Sequence, residues 1–123
     1  MLDRRAYLRL EKNLQSTIYQ NGKEYTATIL DISQEGISFT IDERATIYEG
    51  DSVHITVCDK YENIIGDKSL FCENISAHVK DITPYGEGTV RCGCIIRDDR
   101  YTKYVQEQYI MVACGIGRGN DNG

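Results

Sequence analysis

The sequence predicts an all-β fold, a sandwich or barrel of six or seven short strands followed by one C-terminal helix. Three observations carry this expectation. Apolar and polar residues alternate through successive segments, as half-buried strands require. Turn signals recur between those segments, at Asn21-Gly22, Glu49-Gly50-Asp51 and Pro84-Tyr85-Gly86-Glu87-Gly88. The chain has 123 residues and 41% hydrophobic content, enough for one modest core in one domain. In so small a unit a closed barrel also solves the problem of exposed strand edges, which favours a barrel.

The elements follow in order. Residues 7–19 form a first strand with Leu8, Leu10, Leu14 and Ile18 as apolar points, irregularly spaced and with Asn13 as a candidate bend. Asn21-Gly22 tolerates positive φ at both positions and predicts a tight hairpin into a second strand over 23–32. Residues 36–41 and 52–58 give two more strands, the latter with Val53, Ile55 and Val57 on one face. Residues 59–63 read as a polar connector, 64–70 as a weaker strand, and 74–83 as a strand with Ile75, Ala77 and Val79 to one side. After the Pro84 turn, 89–96 places Val90, Cys92, Cys94 and Ile96 together. Good helix formers over 101–113, stopped by Gly115-Ile116-Gly117, predict a helix covering one barrel mouth. The segment 114–123 is Gly- and Asn-rich and is expected to be a disordered tail.

Composition excludes several classes. No apolar run approaches the roughly 20 residues that span a bilayer, and MLDRRAYLRL lacks the apolar centre of a signal peptide, so a soluble cytosolic chain is expected. The five cysteines are an odd number with no CxxC pair, and they read as reduced thiols. Cys92 and Cys94 alternate along a strand as small core residues, and His54 and His78 show no ligand spacing toward them, so no metal site is expected. Asp98-Asp99, between Arg97 and Arg100, has no neighbouring nucleophile and reads as a polar strand-to-helix turn, which leaves nothing catalytic.

The net charge of −5 argues against general DNA or RNA binding, which calls for a broad basic face. The charge is unevenly placed, however: residues 1–12 hold Arg4, Arg5, Arg9 and Lys12 against Asp3 and Glu11. Beyond a Debye length of roughly 8 Å the acidic remainder is screened, so a compact anion docking at this end meets mainly arginines. Three guanidinium groups within six residues can grip phosphate oxygens bidentately and stack on flat rings, although such charge runs also occur as solvated faces.

The stretch Asp31-Ile32-Ser33-Gln34-Glu35-Gly36 lies where a hairpin should turn. A carboxylate there can accept from the ring N–H and the exocyclic amine of guanine, a hydroxyl can contact the same edge or a phosphate, and Gly36 allows a conformation or a close approach that a Cβ would block. An Asx-type or Ser-capped turn accounts for the same residue types.

Taken together, RxxxR at Arg5 and Arg9 ahead of the first strand, and DxSxxG at Asp31, Ser33 and Gly36 about two dozen residues later, resemble the PilZ family of cyclic di-GMP receptors. The resemblance covers most of the chain and implies a six-stranded antiparallel barrel with a C-terminal helix over 7–113. It implies that residues 1–12 form a flexible arm that wraps the ligand and becomes ordered. Arg5 and Arg9 would then meet phosphates and guanine, Asp31 and Ser33 would read the other guanine edge, and Gly36 would shape the turn. Arg4, just ahead of RxxxR, resembles arginines associated with two intercalated ligand molecules per domain, and Tyr7 lies within the motif. The implied role is regulatory and non-enzymatic, with cyclic di-GMP as ligand and no other cofactor. Glu107-Gln108-Tyr109-Ile110-Met111 with Gly115-Ile116-Gly117-Arg118 loosely resembles the segment after this barrel in cellulose-synthase-like glycosyltransferases. That implies a longer membrane-synthase parent with this piece on its cytosolic face, without itself inserting in the membrane. A nucleotide-independent protein–protein adaptor is the alternative, and a flavin-binding split barrel lacks a supporting motif.

Overall fold

The computed structural model describes residues 8–114 apart from residue 64, and of Cys114 the backbone alone. Six strands, β1 (Leu10–Gln20), β2 (Lys23–Ser33), β3 (Gly36–Asp42), β4 (Ser52–Glu62), β5 (Lys68–Gly86) and β6 (Thr89–Ile95), precede one helix, α1 (Asp99–Cys114). They close into an antiparallel barrel in the order β1-β2-β3-β6-β5-β4. The all-β expectation holds, and so does the C-terminal helix.

Local chemistry explains the first hairpin. Asn21 and Gly22 have φ of 51° and 78°, the positive pair that a tight two-residue turn requires, and Gln20 faces Lys23 directly. Inward positions then fill the barrel: Ile18, Ile29, Phe39, Ile55, Ile75 and Cys92 are fully buried. The expected inward face of the last strand is also seen, with Cys92 and Cys94 as buried free thiols.

The expected break after Cys58 is absent. The β4–β5 ladder runs without interruption from Ser52↔His78 to Glu62↔Lys68, so the expected connector and the two strands at 64–70 and 74–83 become the end of β4 and one 19-residue β5. Backbone pairing persists where apolar alternation fades, because the hairpin runs beyond the barrel wall and lays Tyr61 and Phe71 against the core cluster. Strand β5 also passes through Pro84, where a register shift between Pro84 and Gly86 accommodates a residue with no N–H to donate.

The cysteine reading needs one correction. Cys58 and Cys72 face each other across β4 and β5, with Cα atoms 4.0 Å apart, and are joined as a disulfide. They are 14 residues apart and belong to no spacing motif, so only the register of the two strands brings them together.

Helix α1 seats where the barrel parts. The β1–β4 ladder consists of Ile18↔Ile55 and Tyr19↔His54; just beyond it the Ser16 hydroxyl donates to the Thr56 carbonyl at 2.6 Å. Further along, Lys12 Nζ donates to Asp59 Oδ2 at 2.8 Å and to Gln108 Oε1 at 2.5 Å, and the Tyr104 hydroxyl donates to the same Asp59 oxygen at 2.8 Å. Phe71 stacks on Tyr104, with centroids 4.2 Å apart, and Tyr61 meets it edge-on. Asp98, just ahead of the helix, caps it: its carboxylate accepts from the backbone N–H groups of Arg100 and Tyr101. The Asp98-Asp99 pair is thus the polar turn the sequence suggested.

Candidate ligand-binding site

Two β-bulges build the site. Alternation from the buried Ile29 would bury Asp31 as well. Instead Ile29 pairs with Phe39 and Asp31 with Ser38, so Leu30 is an extra residue and the parity of the strand flips. Asp31 turns to the outer wall while Ile32 returns to the core. Lys80 does the same in β5: Val79 pairs with Cys94, Asp81 with Gly93, and Ile82 with Cys92.

The consequence is a row across four strands, Asp31–Ser38–Gly93–Asp81. Gly93 forms its floor. A Cβ at this position would lie 2.7 Å from an Asp81 carboxylate oxygen, so any side chain would displace that acid. The row belongs to an open cavity of about 440 Å³, whose walls include Arg9, Asp31, Ser33 and Gly36 together with Lys80, Asp81 and Arg91. Its volume falls within the usual range for small-molecule sites, roughly 300–1,000 Å³.

Arg91 comes from the next row, opposite Thr40 and Thr83. Its Nη2 donates to Asp31 Oδ2 at 2.7 Å and to the Ser38 hydroxyl at 3.1 Å. Asp31 is thus held by a partner from β6, 60 residues away in sequence.

The DISQEG segment is a two-residue turn, Gln34-Glu35, between Ser33 and Gly36. Gly36 has no positive φ; what it needs is room. A Cβ there would sit 3.0 Å from the Cys94 carbonyl oxygen and 3.2 Å from Ser33 Oγ. The turn is tied on both sides: Ile96 N–H donates to the Glu35 carbonyl, the Tyr101 hydroxyl donates to the Gly36 carbonyl, and Gln34 N–H donates to the Tyr109 hydroxyl at 2.9 Å. Tyr109 in turn donates to the carbonyl of Leu8, at the root of the N-terminal segment.

Four of the six residues singled out in the sequence therefore meet at one cavity: Arg9, Asp31, Ser33 and Gly36. Arg4 and Arg5, and with them Tyr7, lie outside the described residues, as does the tail from residue 115. Sequence reasoning missed Arg91, Lys80, Asp81 and Tyr109. Arg91 left one trace, a large cation alternating with Val90, Cys92 and Cys94 on a strand that is otherwise apolar. His54 and His78 are exposed on the outer wall, as expected for strand residues without a buried role. Among the described residues, no group of three or more His, Cys, Asp or Glu side chains could hold a metal ion, and no helix is long and apolar enough to cross a membrane.

A closed antiparallel barrel that carries a polar cavity on its outer wall, beside an acid-bearing turn, defines a class of small β-barrel modules. Within it, this chain belongs to the PilZ domain family, whose model matches residues 3–102. Among solved structures, the chain resembles the inhibitor of motility (MotI/DgrA) of Bacillus subtilis at 17% identity and a TM-score of 0.68, covering 92% of this chain and 52% of that one. It also resembles the PilZ domain, with c-di-GMP, of YcgR from Escherichia coli at 16% identity and a TM-score of 0.55, covering 93% of this chain and all of that one. The longer YcgR chain, in complex with c-di-GMP, matches at 17% identity and a TM-score of 0.58, and this chain spans 47% of its length. No curated protein matches the chain in sequence.

Proposed function

We propose that this chain is a cyclic di-GMP receptor domain, a non-catalytic cytoplasmic module whose N-terminal arm orders over the ligand. One observation carries the reading: Arg9, from the end of the arm, lines the same cavity as Asp31, Ser33 and Gly36. Cations for phosphate and an acceptor for guanine thus stand together. The membership of the family and the c-di-GMP named in the YcgR structures support the choice of ligand.

In this reading the arm is the part of residues 1–12 that lies ahead of β1, which already begins at Leu10, with Arg5 and Arg9 meeting phosphate and guanine and Arg4 supporting a second, intercalated ligand molecule. The ordering of the arm is relayed to an attached or docked effector, for which a membrane polysaccharide synthase is the candidate. A nucleotide-independent adaptor is the rival, and it assigns no purpose to the acid-bearing cavity.

Calorimetric titration with cyclic di-GMP tests the proposal. Saturable binding at two ligands per chain is expected, with Arg5→Ala and Arg9→Ala each weakening it more than about tenfold, or about 1.4 kcal/mol. Arg4→Leu should lower the ratio. Absence of binding by the unaltered chain would leave the adaptor reading standing.

A further inference from the structure

We infer that Arg91 is a specificity-determining residue of this cavity, one that holds Asp31 as an acceptor and sets a hydrogen-bond donor beside it, a pairing that fits guanine and opposes adenine. The inference rests on the cyclic di-GMP reading above and extends it to a residue outside both sequence motifs.

The geometry supplies the first step. Arg91 Nη2 contacts a single carboxylate oxygen, Oδ2, at 2.7 Å, and the same nitrogen reaches the buried Ser38 hydroxyl at 3.1 Å. Two contacts fix the guanidinium plane, and an ionised carboxylate has lone pairs to spare on its other oxygen. The pair is sheltered, with side-chain exposures of 32% for Arg91 and 16% for Asp31, so it is less screened than a surface ion pair. The pair is not what joins β2 to β6, because β3 already hydrogen-bonds to both strands. The pair opens onto the cavity, and both residues line it.

The ligand chemistry supplies the second step. Guanine presents the O6 acceptor next to the N1–H donor, and N7 as a further acceptor. The two contacts of Nη2 leave the Nε and Nη1 hydrogens of Arg91 unconsumed by them. A base whose N1–H and exocyclic amine meet Asp31 therefore brings O6 toward a guanidinium. Adenine reverses the pattern: its N6 amine would face the cation and its N1 lone pair the carboxylate, leaving polar groups mismatched in a partly dehydrated site. Sites that hydrogen-bond a ligand group reject the analogue lacking it far more strongly than apolar pockets do.

Isothermal titration of the full chain with cyclic di-GMP and with cyclic di-AMP, the latter up to millimolar concentration, tests the inference in the unaltered protein, Arg91→Ala and Arg91→Lys. Arg91→Ala should bind cyclic di-GMP at least tenfold more weakly with no matching loss for cyclic di-AMP, so that the ratio of the two affinities collapses. Arg91→Lys, which keeps the charge but not the fork, should fall between. Thermal melting monitors folding, and if Arg91→Ala does not fold, the Arg91→Lys ratio decides. A variant that binds cyclic di-GMP as the unaltered chain does, or that loses both ligands equally, overturns the role of Arg91 alone. Failure of the unaltered chain to bind cyclic di-GMP overturns the ligand assignment itself.

Discussion

The Tyr109 hydroxyl accepts the Gln34 N–H at 2.9 Å and donates to the Leu8 carbonyl, so one phenol from the C-terminal helix joins the root of the arm to the turn that carries the DxSxxG residues. Three segments far apart in sequence meet at this atom. Tyr109→Phe keeps the ring and removes both hydrogen bonds, each worth about 0.5–1.5 kcal/mol. Amide exchange at Gln34 should accelerate, and cyclic di-GMP affinity should fall several-fold as the arm loses its anchor. Unchanged exchange at Gln34 would show that the clip has no hold on the turn.

Gly36→Ala places a methyl group 3.0 Å from the Cys94 backbone carbonyl, an atom that cannot swing aside as a side chain would. The β3–β6 pairing must shift, at a cost of about 1–3 kcal/mol typical of overpacking. Because Ser33 Oγ would also lie only 3.2 Å from that methyl, ligand affinity should fall with stability. Denaturant melts and titration of the same preparation give both numbers, and an alanine variant as stable as the parent would contradict the crowding seen here.

Asp59 serves two donors at once, Lys12 Nζ and the Tyr104 hydroxyl, both at 2.8 Å, with its side chain only 7% exposed. Asp59→Ala removes the carboxylate that both donors share and leaves Lys12, still bonded to Gln108, without its counter-charge beside the helix, and a loss of about 3 kcal/mol is expected. In a domain of this size that lowers the melting temperature by more than about 10 °C. The exposed Asp42–Arg44 pair makes a contrast: Arg44 holds the Asp42 carboxyl down at about 2, yet both groups lie in solvent, and Arg44→Ala should leave the melt unchanged. Equal effects at the two sites would refute the burial argument.

The protein should weaken at alkaline pH. Burial raises the Cys92 thiol to about 11, helped by the Asp81 charge, and raises Cys94 to about 12. Burial likewise raises Tyr61 to about 12, with the hydrogen bond to Glu107 adding to it, and drives Tyr101 and Tyr104 upward. In every case the folded chain holds a proton that the unfolded chain releases near the ordinary values of 9.0 and 10.0. The stability contributed is therefore intact below pH 9 and drains away as pH rises toward 12. Melting temperature measured from pH 8 upward should fall steadily over this window, and a flat profile would mean that these groups titrate as if exposed.

By itself the sequence determined the class of fold, the first hairpin and the identity of two motifs, because these are written in short-range chemistry. Apolar alternation follows the strand period, and Asn21-Gly22 specifies positive φ within two residues. The spacing of Asp31, Ser33 and Gly36 is likewise visible in a single line of text. Where long-range register decides, the sequence was mute. Whether Asp31 points inward or outward depends on one extra residue, Leu30, and a bulge exists only relative to a partner strand. The union of Cys58 with Cys72 depends on the register of the β4–β5 hairpin, that of Asp31 with Arg91 on β3 lying between β2 and β6, and that of Tyr109 with Gln34 on where the helix packs, and no local pattern links any of these residues. Backbone pairing, indifferent to side-chain identity, also carried β4 and β5 past the point where their alternation fades.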